Sequence, residues 1–343
     1  MALTKLELQN FTVFSDLKMD FSPGLNVFIG ENGIGKTHIM KVLYSACQAA
    51  QAQSTALKFN QKLVRVFRPD NLRINRLVKR GGGAGTRAST VSVATKDAVL
   101  SLRFHSKSKD LETEITGERV WERQSSSLVS TYIPSKEILS NARKLPYAID
   151  QSIVAFDDTY KDIIQMAGVG VSRGRDTLLI QKYADILRNF GTLSVDLSDE
   201  AFYLKQGNQA RFEFSLVSEG IRKIALLWQL VKNGTFAKGS VLFWDEPEAN
   251  INPEHIPVLV EMLLELQLDG VQVFVATHDY IFAKYIEVLQ KSDSNVLFHS
   301  FYRESGAIEV ESNRTFRELK PNPIITAYDK LLRDVFDKRI GDY

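Results

Sequence analysis

The sequence predicts an α/β fold in which a parallel sheet is covered on both faces by helices, and three observations predict it. The apolar run Leu25-Asn26-Val27-Phe28-Ile29 ends in a glycine-rich turn and is followed by apolar residues at helical spacing, Ile39, Met40, Leu43 and Tyr44. The last third alternates short apolar runs with amphipathic stretches, the pattern of parallel strands joined by covering helices. Between these ends, from about residue 50 to 210, the pattern changes character, so the two ends are expected to build one sheet interrupted by a middle region.

In order, Leu3 to Phe11 and Leu17 to Phe21 read as strands, Ser22-Pro23-Gly24 as a turn and Leu25 to Ile29 as a buried strand. A helix follows the glycine turn. The window Lys58 to Arg87 gathers Lys58, Lys62, Arg65, Arg68, Arg73, Arg76, Lys79, Arg80 and Arg87 with Asp70 opposing them, and Gly81 to Gly85 breaks it. The simplest reading is a basic helical segment with a flexible tip. Val91 to Phe104 alternates like two hairpin strands, Leu128 to Pro134 reads as a buried strand, and Ile163 to Phe190 as mostly helical. Then come a strand at Gln209 to Leu216, a helix at Gly220 to Lys232, a buried strand at Ser240 to Trp244, a helix at Glu254 to Leu266 and a buried strand at Val271 to Ala276. Neither an internal repeat nor a long heptad pattern is visible. The expected division puts 1–50 and 205–343 in one domain, with 51–204 as a partly helical insertion that carries the remaining sheet strands.

Composition narrows the classes. The chain has 343 residues, 44% of them hydrophobic and 24% charged, enough for one large domain or two moderate ones. A net charge of +2 argues against a surface built wholly to hold nucleic acid, so any such binding must be local. The single cysteine, Cys47, cannot form an intrachain disulfide and sits in the helical stretch YSACQAAQAQ, which fits packing in a reducing cytoplasm. No segment approaches the roughly eighteen uninterrupted apolar residues of a membrane span. The start, MALTKLELQNF, alternates like a strand instead of showing a signal-peptide core, so a soluble cytoplasmic protein without a membrane partner is expected.

Four motifs carry chemistry. Gly30-Glu31-Asn32-Gly33-Ile34-Gly35-Lys36-Thr37 fits G-x-x-x-x-G-K-[ST] and stands between a buried strand and a helix. Glycines let backbone N–H groups wrap a polyphosphate, and the helix adds the positive end of its dipole. Lys36 would reach the β and γ phosphates, and Thr37 would give its hydroxyl to Mg²⁺. The strand Val241-Leu242-Phe243-Trp244 ends in Asp245-Glu246, at the end of a parallel strand that opens onto the ligand crevice. Asp245 would face Mg²⁺ and Glu246 the attacking water, as general base for phosphoryl transfer. An acidic strand end is common on its own; the phosphate loop gives it meaning. His278, in Thr277-His278-Asp279, ends the next strand and could hydrogen-bond the γ phosphate or the water. Finally, Leu216-Val217-Ser218-Glu219-Gly220 opens a helix with Ser218 as N-cap, either a plain cap or an anion-facing end.

In this order the four pieces resemble the ATP-binding-cassette class of ATPases, with a P-loop NTPase fold and an ABC-type head. The resemblance implies a Walker A loop at Gly30 to Thr37, a signature at Leu216 to Gly220, a Walker B at Val241 to Glu246 and a switch histidine at His278. It implies ATP and Mg²⁺ as ligands and a homodimer or higher homo-oligomer in which ATP is sandwiched. Ser218 and Gly220 would then act in trans, and Ala249 to Pro253 would form the D-loop at the seam. Within the class, GENGxGKT, SEGxRK, WDEPEANINP, LELQNFTVF and YIPSKEIL (Tyr132 to Leu139) resemble the group around RecF and the OLD-family ATPases, including antiphage ATPases of the Septu and PARIS type. The glutamine that such proteins use to sense the γ phosphate has two candidates here, Gln206 and Gln209.

A transporter ATPase would carry its signature much closer to its phosphate loop, and a Rad50-type protein would place a long coiled coil between them. An OLD nuclease would add a Toprim domain, for which the stretch after His278 is short. The leading expectation is an ATPase that dimerises on ATP and serves as sensor or scaffold for a separately encoded effector, such as a nuclease, in antiphage defence. The alternative is a RecF-like ATPase of DNA repair or chromosome handling that grips nucleic acid through Lys58 to Arg87; a solvated helix face is the bland reading of that window.

Overall fold

The computed structural model describes residues 2–49, 57–81, 85–109, 111–125, 128–170, 177–208 and 210–341. A hairpin, β1 (Leu3–Phe11) and β2 (Phe14–Asp20), precedes β3 (Leu25–Gly30), which leads through the glycine turn into α1 (Lys36–Gln48) and on to α2 (Phe59–Phe67). Next come β4 (Ala88–Thr95), β5 (Val99–His105), β6 (Glu114–Thr116), α3 (Glu118–Ser125), β7 (Ser130–Ile133), α4 (Leu145–Asp150), α5 (Asp158–Ala167) and α6 (Thr177–Ile186). Three strands, β8 (Leu193–Ser198), β9 (Ala201–Gln206) and β10 (Arg211–Glu213), lie before α7 (Glu219–Lys232). The chain finishes with β11 (Val241–Asp245), α8 (Ile256–Leu268), β12 (Gln272–Thr277), α9 (Tyr280–Leu289), β13 (Val296–Glu304), β14 (Ala307–Asn313) and α10 (Pro323–Gly341).

The central sheet has the order β14-β13-β3-β12-β11-β7. Every neighbouring pair in it is parallel except β13 with β14. Because side chains alternate across a strand, each central strand feeds two cores. Val27 and Ile29, Leu242 and Trp244, and Val273 and Val275 point to the face covered by α7, α8 and α9. Phe28, Phe243 and Phe274 point to the other face, where α1 packs with the apolar sides of β1, β2, β4 and β5. There the Phe243 and Phe274 rings stack at 5.1 Å, and Tyr132 of β7 continues the stack. The parallel strands β3, β12, β11 and β7 end at the same edge, and the turns leaving them carry the motifs.

Two antiparallel sheets flank this layer, in the orders β2-β1-β4-β5-β6 and β10-β9-β8. Gln272 ties the first to the centre: its side chain accepts from Leu3 N and donates to Leu3 O and Ser22 O, each at 2.8 Å. Cys47 is fully buried, in keeping with its reading as packing. Among the described residues no helix is long and apolar enough to cross a membrane.

Several expectations change. The basic window is helical only over Phe59–Phe67, after which 3₁₀ turns at Asp70–Leu72 and Ile74–Leu77 take over. Three of its charges are spent on partners within the fold. Lys62 is buried between Asp158 and Asp162, Arg65 pairs with Asp158 and Asp150, and Arg68 donates to Phe156 O. These partners lie some ninety residues away, out of reach of a local charge count. The strand expected at Gln209 to Leu216 is three residues long and passes into a 3₁₀ turn. The helical stretch from Ile163 divides into α5 and α6, separated by 171–176, which lie outside the described residues. Gln209 and most of the glycine tip, 82–84, also lie outside them.

Candidate functional site

The glycine turn depends on backbone shapes that side chains resist. Gly35 has φ +106°, and a Cβ there would come within 2.4 Å of the Phe14 ring; Gly30 has φ +148°, and its Cβ would meet Phe301 O at 2.7 Å. Ile34 is buried and anchors the loop, whereas Glu31, Asn32 and Gly33 are exposed. Helix α1 starts at Lys36 with Gly35 as its cap and no side-chain cap bond. Its first N–H groups therefore keep their capacity for an anion. Lys36 is buried, and its ammonium donates to Gly30 O at 2.6 Å and Glu31 O at 3.0 Å, so the chain curls over its own loop. Burial lowers its pKa against the opposing pull of Asp245, Glu246, Glu248 and Glu31.

The carboxylates come from the adjacent strand ends. Thr37 Oγ1 donates to Asp245 Oδ2 at 2.9 Å, which places the first turn of α1 against the end of β11. Burial pushes the Asp245 carboxyl up to about 6, with the Thr37 hydrogen bond acting against the shift. Lys41, one turn further along α1, pairs with Asp157 at 2.6 Å. Glu246 leaves the strand in the left-handed region, φ +48°, which turns its side chain out of the sheet. Its Oε1 lies 3.3 Å from His278 Nδ1, at the end of β12. Behind them Glu248 is buried, with Oε1 accepting from Thr277 Oγ1 at 2.6 Å and Oε2 lacking any partner. Its carboxyl is pushed up to about 7, mainly by burial.

The structure thus brings Lys36, Thr37, Asp245, Glu246 and His278 to one edge of the central sheet. Ser218 and Gly220 sit on the first turn of α7. Ser218 takes the N-cap position, but its hydroxyl makes no cap bond and is exposed. This corrects the capping role: the oxygen faces solvent. Gly220 packs on the turn after β11, where an added Cβ would meet Asn250 O at 3.0 Å. Gln206 ends β9, in a different sheet, and donates to Phe190 O at 2.6 Å, so it does not serve the crevice. The strand beside β11 is β7, and the turn that leaves it, Pro134-Ser135-Lys136-Glu137, contains no glutamine. Glu137 instead forms an ion pair at 2.8 Å with Arg222 of α7.

Sequence reasoning passed over Glu248, Thr277, Glu137, Arg222 and Lys223 as separate parts. Lys223 carried one available signal: a lysine on the face of α7 that otherwise presents apolar residues such as Ile224 and Leu227. Among the described residues no group of three or more His, Cys, Asp or Glu side chains could cage a metal. One hydroxyl and one carboxylate, both hard oxygen donors, fit Mg²⁺, which takes few protein ligands and completes its octahedron with substrate phosphates and water.

The comparisons bear on the fold and the family. The fold is similar to that of the Smc head in a crystal structure of that head bound to the C-terminal winged-helix domain of ScpA, with TM-score 0.59 and 13% identity over 92% of this chain and 98% of that one. A second Smc head, from Pyrococcus furiosus, gives TM-score 0.56 and 13% identity over 97% and 99%. At such identity the likeness concerns the fold, that of an ABC-type P-loop NTPase head. In sequence, the DNA replication and repair protein RecF of Streptococcus thermophilus is 28% identical over 109 residues, 32% of this chain and 28% of that protein. RecF of Lactococcus lactis subsp. cremoris is 48% identical over 44 residues, 13% and 12% of the two chains. The chain thus spans well under a third of the curated relatives it matches. The family model described as "AAA domain, putative AbiEii toxin, Type IV TA system" matches residues 25–283, from β3 into α9. The chain belongs to that family, and with it to the ABC-class P-loop ATPases of the RecF and OLD type.

Proposed function

We propose that this chain binds ATP with Mg²⁺ at Gly30 to Thr37, hydrolyses it to ADP and phosphate, and forms half of a site that Ser218 and Gly220 of a second copy complete. The observation that carries the reading is the Thr37–Asp245 hydrogen bond, which unites the phosphate loop and the acidic strand end into one oxygen-lined pair. A bound polyphosphate would take over the Lys36 ammonium from the two backbone carbonyls it now reaches. Mg²⁺, when held by Thr37 and Asp245, would neutralise charge between the β and γ phosphates. Glu246 would accept a proton from the attacking water as its oxygen bonds the γ phosphorus and the bond to the β-phosphate oxygen breaks. His278, whose Nδ1 lies 3.3 Å from the same carboxylate, would orient Glu246 and the γ phosphate.

The exposed Ser218 hydroxyl, unused by its own helix, supports its service to a second copy. At the level of the cell, the reading is a cytoplasmic ATP-gated sensor or scaffold that controls a separately encoded effector, such as a nuclease, in antiphage defence. The family's description, which names a putative toxin of a type IV toxin–antitoxin system, supports a defence role. Copurification of a nuclease encoded beside the gene, held in the Glu246→Gln background with ATP, tests the division of labour. Lys36-dependent cleavage of DNA or RNA by the chain alone would contradict it.

A second reading has its own observation. Arg73, Arg76, Lys79, Arg80 and Arg87 line one hollow of about 400 Å³ beside β4, and Arg73, Arg76 and Arg80 are exposed. Such a patch suits the phosphates of nucleic acid, in line with the replication and repair role named for the RecF relatives.

A further inference from the structure

The helix that presents Ser218 also grips the turn that carries Glu246. Lys223 is 1% exposed, and its ammonium donates to two backbone carbonyls, Ala249 O at 2.7 Å and Glu246 O at 3.2 Å. No carboxylate pairs with it at ion-pair distance among the described residues, although Glu219, Glu246, Glu248 and Glu137 surround it electrostatically. A buried ammonium spent on backbone carbonyls fixes backbone, and the backbone it fixes is unusual. Glu246 has φ +48° and Asn250 φ +61°, so the turn between them enters and leaves through left-handed residues that are not glycine. Gly220 adds a second contact: a Cβ there would stand 3.0 Å from Asn250 O and 3.1 Å from Ile251 Cα, so a side chain fits only if the turn gives way by a few tenths of an ångström.

We propose that Lys223 is a positioning residue for Glu246: it clamps the 246–250 turn and thereby aims the Glu246 carboxylate at the crevice and at His278. The inference rests on the ATPase reading. It deepens that reading, because one rigid turn of α7 holds Ser218 toward the opposite site and Glu246 toward its own.

The test is Lys223→Met, which keeps the length of the side chain and removes the donors. The expected result is a fall in kcat of at least about tenfold with the ATP dissociation constant changed by less than about threefold. Because Lys223 acts through Glu246, the same change in a Glu246→Gln background should add less than about twofold to the loss in single-turnover rate. Leu230→Ala, two turns along the same helix, controls for general loosening and should lower the melting temperature while leaving kcat within about twofold. If Lys223→Met does not fold, Lys223→Gln takes its place under the same criteria. Wild-type kcat in a folded Lys223 variant, or a full additional loss in the Glu246→Gln background, overturns the proposal alone. Wild-type protein without Glu246-dependent ATP turnover overturns the ATPase reading and this proposal with it.

Discussion

Thr37 Oγ1 and Asp245 Oδ2 meet at 2.9 Å although 208 residues separate them along the chain. The contact exists because β3, β12 and β11 lie side by side and parallel, which delivers the phosphate loop and the acidic strand end to the same edge. Thr37→Val keeps the shape and removes the hydroxyl. Its expected effect is a loss of Mg²⁺-dependent ATP affinity of about 10- to 100-fold, measured by titration with a fluorescent nucleotide. With a chelator present, mutant and wild type should bind alike.

Two buried carboxyls give the ligand-free protein a pH dependence of defined sign. Both are raised in the fold, Asp245 to about 6 and Glu248 to about 7, so the unfolded chain releases these protons first. Their contribution to stability is complete below the ordinary carboxylate range, near about 4, and is lost as pH rises through the raised values. The melting temperature should therefore fall between about pH 4 and pH 7, and Glu248→Gln should flatten the upper part of that fall. Mg²⁺ binding should run the other way, strengthening as Asp245 ionises. A Glu248→Gln profile identical to wild type would contradict the assignment.

The basic window divides into a structural part and a surface part, and substitutions should separate them. Lys62 is buried against Asp158 and Asp162, with Tyr44 donating to Asp162 at 2.6 Å. Lys62→Ala leaves buried Asp162 with the Tyr44 hydroxyl alone and Asp158 with Arg65 alone, and should cost about 3–5 kcal/mol in urea unfolding.

Arg73 and Arg80 are exposed at the basic hollow. Should duplex DNA bind, Arg73→Glu with Arg80→Glu should weaken it uniformly across sequences and reduce the slope of log affinity against log salt by about two. ATP turnover without DNA should be unchanged. Affinity independent of salt in the wild type would remove the nucleic-acid reading.

Much of the crevice was legible because its parts are marked locally. A buried apolar run ending in glycines, and another ending in Asp245-Glu246, are strands whose ends must face a common edge once the sheet is parallel. His278 was legible for the same reason. What stayed hidden depends on contacts between distant segments. Period-two alternation marked β1 as a strand but could not say that it pairs with β2 and β4 in a separate sheet. Lys62 looked like a surface charge because its acids lie beyond residue 150. Gln206 is one of two candidates the sequence offers for the γ-phosphate sensor, and β9 carries it elsewhere. The first turn of α7 looked like a simple cap, yet Arg222 and Lys223 join it to the turns that leave β7 and β11.

The central claim is that one chain holds only half of each ATP site. Mixing two inactive variants tests it most directly. Lys36→Ala removes the phosphate-loop cation and Ser218→Arg blocks the exposed end of α7, so each homodimer has two broken sites. A mixed dimer has one site intact, made by the loop of the Ser218→Arg chain and the Ser218 of the Lys36→Ala chain. With random pairing, the equimolar mixture should recover about a quarter of wild-type ATP turnover, half the dimers each having one working site of two. Turnover no greater than that of the separate variants would contradict the shared site.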